Sequence, residues 1–576
     1  MPRKINIKTP DPRAVQTIAK ALSCTEITAA LLVNRGITSV EQARRFWSAG
    51  VADLPPPFSI RDMDAAVARI HAALVNNETL LVFGDYDADG ITATAILVEF
   101  LRQAGADVKY HIPHRILEGY GLKPRHVAEV AVKQGARLLI TVDCGATSHG
   151  AAAACREAGI DLIITDHHQT PAESPPALAV INPSRADCTS GLGALAGVGV
   201  AFYLLIALRA YLREKGFWEN RKEPNLKACC DLVAIGTIAD IVPLTAENRI
   251  LVKTGLEILR TSPRPGIEAL IAGAKIKKAA LSAEDVAFRI APRLNAPGRI
   301  DHATAALDLL LVETPDTARR IAERLNRLNT KRQVIEEEIS DEIHRIVTDR
   351  VNTIREKRTL VLAHRQWHQG VIGIAASRAA RRYGLPVALI TISGDTGIGS
   401  ARGIPGLHLY KALGQCSRLF EDFGGHAQAA GFRMRMENLA AFEKQFEYIV
   451  RQQTTPDDFA PALEVDCELA LDRIDKTLIN EIERLSPFGA GNPEPLFSAR
   501  HARVSDSFMI NGQHRKMSLG HAVSGKKVNA IWFNAPPEHQ NTAYFQQILF
   551  RLRPDTWNGN GAPQVIIEDA FSQQPE

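Results

Sequence analysis

Residues 82–90 read VFGDYDADG: a short apolar run, then three carboxylates, Asp85, Asp87 and Asp89, on alternate positions. Carboxylates this close repel one another unless they are solvated or share a cation. A single acid after a strand is an ordinary turn residue, so the stretch takes its meaning from its counterparts along the chain. TLLVFG (79–84) reads as a strand and ITATAILVEFLRQAG (91–105) has helical spacing. RLLITVD (137–143) is another strand, followed by the Ala-rich helix GAAAACREAG (150–159), then the strands DLIITDHH (161–168) and ALAVINP (177–183). Continuous apolar strands alternating with helices define an α/β fold, a parallel sheet covered on both faces with right-handed crossovers.

Ligands bind open sheets of this kind at the carboxyl ends of the strands. The first strand ends in Asp85, Asp87 and Asp89, the second in Asp143, and the third in Asp166, His167 and His168. A further apolar run, DLVAIGTIADIVPL (231–244), contains two acids; Asp240 is preferred to Asp231 because it terminates the run, as the other acids do. Hard oxygen ligands with one or two imidazoles suit Mn²⁺ or Mg²⁺ and need no thiolate.

At 576 residues the chain exceeds a single core. Residues 1–75 are mostly helical by pattern, with a breaker at Pro55–Pro57; residues 76–311 carry the alternating strands and helices. Residues 312–357 form a connecting helix on which Ile321, Leu325, Leu328, Ile335, Ile339, Ile343 and Ile346 keep helical spacing. Residues 358–455 form a second, smaller α/β unit with strands at 359–364 and 387–393. Residues 456–576 turn to short alternating runs, which suit a small β-barrel or sandwich.

The net charge of +4 neither demands nor excludes nucleic acid. The eight cysteines form no C-x-x-C pair, which fits the reduced thiols of a cytoplasmic protein. The N-terminal MPRKINIKTP has no apolar segment and is not a signal peptide. GLGALAGVGVAFYLLIAL (191–208) lacks charge, but its first half is Gly and Ala; it reads as a turn feeding a buried helix from about Gly199 to Leu212, with no membrane span.

DYDADG, TVDCG, TDHH and the Asp240 segment resemble the four motifs of the DHH phosphoesterase superfamily, and GGHAQAAG (424–431) resembles the glycine-rich signature of its DHHA1 partner domain. ILEGYGL (116–122), LAGVGVAFYLL (195–205), PRLNAPGR (292–299), WHQGVIGI (367–374) and SPFGAGNPEPLF (486–497) follow the order of the RecJ family, so the resemblance covers nearly the whole chain. It implies a parallel-sheet DHH domain, a long helix, a DHHA1 domain and a C-terminal OB-like barrel. It implies 5′→3′ hydrolysis of single-stranded DNA to 5′-mononucleotides in recombination and repair, with single-strand-binding protein and a RecQ-type helicase as partners. Two divalent cations, Mn²⁺ or Mg²⁺, are implied: one on Asp85, Asp87 and Asp143, the other on Asp89, Asp143, His167 and Asp240. Asp166 then supports the site, and His168 stabilises phosphate charge, donates a proton, or makes a supporting hydrogen bond. By the same resemblance Arg115, Arg293, Ser400 and Arg402 hold the 5′-phosphate end and His426 the nucleotide backbone. Phe508, Trp532, Phe533, Phe545 and Phe550 are the aromatic candidates of the barrel, most of them core residues in so small a domain. The alternatives are a phosphodiesterase of the superfamily acting on short oligonucleotides or cyclic dinucleotides, and a non-catalytic single-strand-binding relative. The C-terminal β region speaks against the first, and the complete set of ligand-competent residues against the second.

Overall fold

The computed structural model describes residues 5–351, 356–459, 463–521, 525–555 and 561–572. The chain forms two compact units, residues 55–242 with 254–460, and residues 1–54 with 243–253 and 461–576.

The first unit is built on five parallel strands: β1 (Leu80–Gly84), β2 (Val108–His111), β3 (Leu138–Val142), β4 (Asp161–Thr165) and β5 (Ala179–Ile181), in the order 2-1-3-4-5. Every residue of β1 and β3 is buried, which is why these strands read as unbroken apolar runs. Helices α1 (Ala88–Gln103), α2 (His149–Glu157), α3 (Gly197–Glu214) and α4 (Cys230–Ala239) cover the sheet and one another. The charge-free stretch is α3, buried along most of its length between α1 and α4. No helix among the described residues is long and apolar enough to cross a membrane. The Asp240 segment is helical, so this acid reaches the rim as the C-cap of α4 rather than after a strand.

The connecting helix α5 runs over Pro315–Asp349, with Leu325, Ile339 and Ile343 on its buried face. After it come β6 (Leu360–His364), α6 (Ile372–Tyr383), β7 (Val387–Ser393), β8 (Thr396–Arg402), β9 (Phe420–Gly425) and β10 (Ala429–Arg435). They form a sheet of order 9-10-8-7-6 in which β6 and β7 are parallel and the other pairs antiparallel.

In the second unit, strands Phe497–Ile510, His514–His521, Lys527–Trp532, Pro563–Phe571 and Tyr544–Pro554 pair in that order, and the last closes on the first. The expected segment 1–75 is not one piece. Its helices Pro12–Leu22, Glu26–Val33 and Val40–Ser48 share a core with the barrel, with Ile18, Leu31 and Leu32 packed in one cluster with Leu478, Ile482, Phe545 and Phe550. Strand Ile5–Ile7 pairs with Leu463–Val465, and the Thr25 and Thr28 hydroxyls each donate to Glu481 at 2.6 Å. Helix Met63–Val75 belongs to the first unit, where it packs on α3. Periodicity shows which face of a short helix is buried, not which distant segment covers it. Among the aromatic candidates, Trp532, Phe545 and Phe550 are core, while Phe508 and Phe533 are more than half exposed.

Candidate metal centre

The strand ends deliver the acids as the sheet order requires. Asp85 follows β1 directly and is buried. Asp87 caps α1, its carboxylate accepting the N–H groups of Asp89 at 3.0 Å and Gly90 at 3.1 Å. Asp89, in the first turn, accepts two N–H groups from the start of α3, Gly197 at 2.7 Å and Val198 at 2.9 Å. Asp143 follows β3 with φ of 60°, a left-handed conformation uncommon outside glycine and stored mainly at functional sites. Its carboxylate lies so close to α3 that a Cβ at Gly197 would fall 2.4 Å from Oδ1. Asp166, after β4, accepts N–H groups from Ala146 at 2.8 Å, His167 at 2.8 Å and His168 at 3.1 Å, and faces His168 Nδ1 at 2.7 Å.

These side chains converge in overlapping groups. Ligand atoms of Asp85, Asp87 and Asp143 lie within 4.8 Å of one another, as do those of Asp89, His167 and Asp240, and those of Asp143, His167 and His168. His167 Nε2 stands 3.2 Å from Asp143, 3.6 Å from Asp240 and 3.9 Å from Asp89. Buried atoms His167 Nε2, Asp143 Oδ1 and Asp85 Oδ1 have no hydrogen-bond partner among the described residues. Orphaned buried acceptors are expensive, and here all three belong to residues of these overlapping groups. Burial first, and neighbouring carboxylates second, push Asp85, Asp89 and Asp143 well above the usual carboxylate range and Asp240 up to about 7. Burial, then the His168 charge, lowers His167 to about 4, leaving a neutral imidazole able to ligate. Burial would lower His168 too, but the Asp166 carboxylate outweighs it and raises the group to about 9. A donor set of carboxylates and one or two imidazoles, without thiolate, fits hard divalent cations. Asp231 stands apart, held by Arg264 at 2.8 Å.

Beside the acids lies a cluster of cations. Arg402 donates to Ser400 at 3.0 Å and Ser377 at 2.9 Å; burial and then Arg115 lower it to about 10. Arg115 sits with its guanidinium 4.1 Å from the Tyr86 ring centroid. His426 follows β9 on an exposed turn; desolvation, then the facing charges of Arg402 and His168, lower its pKa. Arg293 does not join them. It donates to Asn326 at 2.6 Å and to the Arg289 carbonyl, and its charged neighbour is Arg289. Arg299, six residues on, lies near Arg115 and Arg402 instead. It bonds the Gly370 carbonyl at 3.3 Å, and burial, then Arg115, Arg332 and Arg402, push it down to about 9. Six residues along a helical path turn a side chain to a different face, a signal the PRLNAPGR motif itself contains. Tyr120 of the ILEGYGL motif was also missed: its hydroxyl lies 3.3 Å from the Asp143 carbonyl, to which it donates, and 3.2 Å from His168 Nδ1.

Residues 79–237 match the DHH family N-terminal domain, residues 356–452 the DHHA1 domain and residues 465–569 the RecJ OB domain. The chain is 35% identical over 554 residues to the single-stranded-DNA-specific exonuclease RecJ of Escherichia coli, covering 94% of this chain and 95% of that one. It is similar to the crystal structure of RecJ in complex with Mn²⁺ from Thermus thermophilus, with a TM-score of 0.83 and 30% identity, covering 100% of this chain and 80% of that one. The Mg²⁺ complex from the same source gives a TM-score of 0.76 and 28% identity, covering 99% of this chain and 79% of that one. The acid-lined sheet and the matched domains define a DHH protein that carries a DHHA1 domain and an OB barrel. Within that class, the chain belongs to the RecJ family of single-stranded-DNA-specific exonucleases.

Proposed function

We propose that this chain hydrolyses single-stranded DNA from its 5′ end, releasing 5′-mononucleotides, with two divalent cations, Mn²⁺ or Mg²⁺, at the rim of the sheet. The observation that carries the reading is that His167, Asp143 and Asp85, each with an orphaned buried atom, belong to overlapping ligand groups joined through Asp143. Asp85, Asp87 and Asp143 hold one cation; Asp89, His167 and Asp240, with Asp143, hold the other. Bound there, such cations supply a water of lowered pKa and neutralise phosphodiester charge.

The chain's own residues orient the rest. Asp166, fixed by three backbone N–H groups, keeps His168 cationic and aimed at the rim. His168 offsets charge on the phosphate and supplies a proton to the leaving 3′ oxygen. Arg115, Arg299 and Arg402, with Ser400, offer N–H and O–H donors to a terminal phosphate, and His426 to the backbone. Each cut leaves a new 5′-phosphate, the group this cluster is suited to hold. On the barrel, Phe508 and Phe533 present exposed rings, with Lys516 6.0 Å from the Phe508 ring, a surface for stacking bases without reading them. In recombination and repair the partners that suit this activity are a RecQ-type helicase, which exposes single strands, and single-strand-binding protein; the compartment is the cytoplasm.

The test is digestion of a 3′-labelled single-stranded oligonucleotide with Mn²⁺ or Mg²⁺, beside a blunt duplex. A metal-dependent ladder shortening from the 5′ end of the single strand alone is expected. Cleavage of dinucleotides only would replace this reading with the small-phosphodiesterase one, and binding without cleavage would replace it with a non-catalytic module.

A further inference from the structure

Arg115 is fixed in place by a ring. Its guanidinium lies 4.1 Å from the Tyr86 ring centroid, its Nε is buried without a hydrogen-bond partner, and it forms no ion pair among the described residues. Yet Arg299 and Arg402 are close enough for the charge of Arg115 to bear on both. A carboxylate partner would hold an arginine by occupying its fork and cancelling its charge. An aromatic face attracts the planar cation through its quadrupole and leaves the in-plane N–H donors open.

Tyr86 is itself well fixed. It stands between Asp85 and Asp87 at the end of β1, its ring meets the Tyr120 ring edge-on at 6.5 Å, and Gly298 packs against its carbonyl so tightly that a Cβ there would lie 2.8 Å away. The Tyr86 hydroxyl makes no hydrogen bond among the described residues, so the ring is the part in use.

We propose that Tyr86 is a positioning residue for the 5′ end: its ring holds the Arg115 guanidinium in place with its donors open, and so sets the preference for a 5′-phosphorylated strand over a 5′-hydroxyl one. This rests on the reading of the Arg115, Arg299 and Arg402 cluster as the terminal-phosphate pocket. Tyr86 acts through Arg115 and touches neither the scissile bond nor the cations.

The experiment uses the full chain with Mn²⁺ and oligonucleotides whose first nucleotide is fluorescent and carries either a 5′-phosphate or a 5′-hydroxyl. Single-turnover release of that nucleotide confines the reading to the first cut, since every later end is phosphorylated. Tyr86→Leu lowers the phosphate-to-hydroxyl rate ratio about tenfold, whereas Tyr86→Phe keeps it within about twofold of wild type. Tyr86→Leu added to Arg115→Gln lowers the ratio no further. Tyr86→Met, which also lacks the ring, gives the same answer should the leucine variant not fold. A fall equal on both substrates, accompanied by a higher Mn²⁺ requirement, would assign the ring to the acid rim and overturn the proposal, as would an unchanged ratio in Tyr86→Leu. An unchanged ratio in Arg115→Gln would instead remove the phosphate pocket on which the proposal rests.

Discussion

The acid rim and the cation cluster beside it pose one electrostatic problem with opposite signs, and the protein handles them differently. At the rim, burial and repulsion are relieved by proton uptake: Asp240 is raised to about 7, and Asp85, Asp89 and Asp143 well above the usual range. Guanidiniums use that outlet far less: even pushed down to about 9 for Arg299 and about 10 for Arg402, they stay charged at neutral pH. Each is therefore held by something that leaves the charge standing: Arg402 by two hydroxyls, Arg299 by a carbonyl, Arg115 by a ring. A carboxylate cluster can wait for its cation by protonating, whereas an arginine cluster is relieved by anions, here in part by Asp85 beside Arg115 and Asp87 beside Arg299.

The sharpest break between the two regions is at the acid rim. Asp143→Asn, which tolerates the left-handed backbone, is expected to lower the rate with saturating Mn²⁺ roughly 10³-fold, the equivalent of several kcal/mol of lost charge stabilisation. The same change should raise the melting midpoint of the metal-free protein by about 2–4 °C, since the buried side chain no longer has to take up a proton on folding. A rate within about tenfold of wild type would take Asp143 out of the chemistry. In the cation cluster, Arg299→Ala is expected to cost roughly 10–100-fold on 5′-phosphorylated strands, the loss of one or two charge-assisted hydrogen bonds. Arg293→Ala, by its contacts, should change that rate by less than about threefold. Equal losses in the two variants would reverse the assignment made from their partners.

The two regions also differed in how far the sequence revealed them. The acids follow β1, β3 and β4, adjacent strands of one parallel sheet, so topology alone places Asp85, Asp143 and His167 together. Asp240 ends an apolar run as the other acids do, but that run is helix α4, so a different element carries it to the rim. The cations come from the segment after β2, from the 291–300 segment and from β8 of a different sheet, so only the tertiary fold brings them together. Hence the motif alone does not separate Arg293, bonded to Asn326, from Arg299, which lies by Arg115 and Arg402, and it gives no sign of Tyr120 or Tyr86, because an aromatic ring in a loop has no periodicity to betray it. The same limit hid the packing of residues 12–48 on a barrel more than 400 residues away in sequence.

The contact between α3 and the rim offers a smaller perturbation. In Gly197→Ala the new Cβ would stand 2.4 Å from Asp143 Oδ1, so either α3 or the carboxylate must move. Overpacking of this kind costs about 1–3 kcal/mol, and the displaced ligand is expected to weaken Mn²⁺ activation by about tenfold, read from the metal concentration for half-maximal rate. Unchanged activation with lowered stability would mean that the strain is absorbed by α3 alone.

The smallest effect follows from the proton uptake that sets the rim apart. The Asp240 carboxyl has a folded pKa of about 7 against an ordinary 3.8. A carboxyl raised on folding favours the native state fully below its unfolded value, and that contribution is lost as pH rises through the folded one. In EDTA the melting midpoint should therefore fall by a few degrees as pH rises from about 5 to about 8, relative to the same series for Asp240→Asn. Saturating Mn²⁺ should flatten the difference, because the cation takes over the role of the bound protons. The guanidiniums of the cation cluster add little slope over this range, since even Arg299 titrates near 9. A pH dependence in EDTA identical in wild type and Asp240→Asn would mean that the rim carboxylates relieve their repulsion by hydration instead of by protonation.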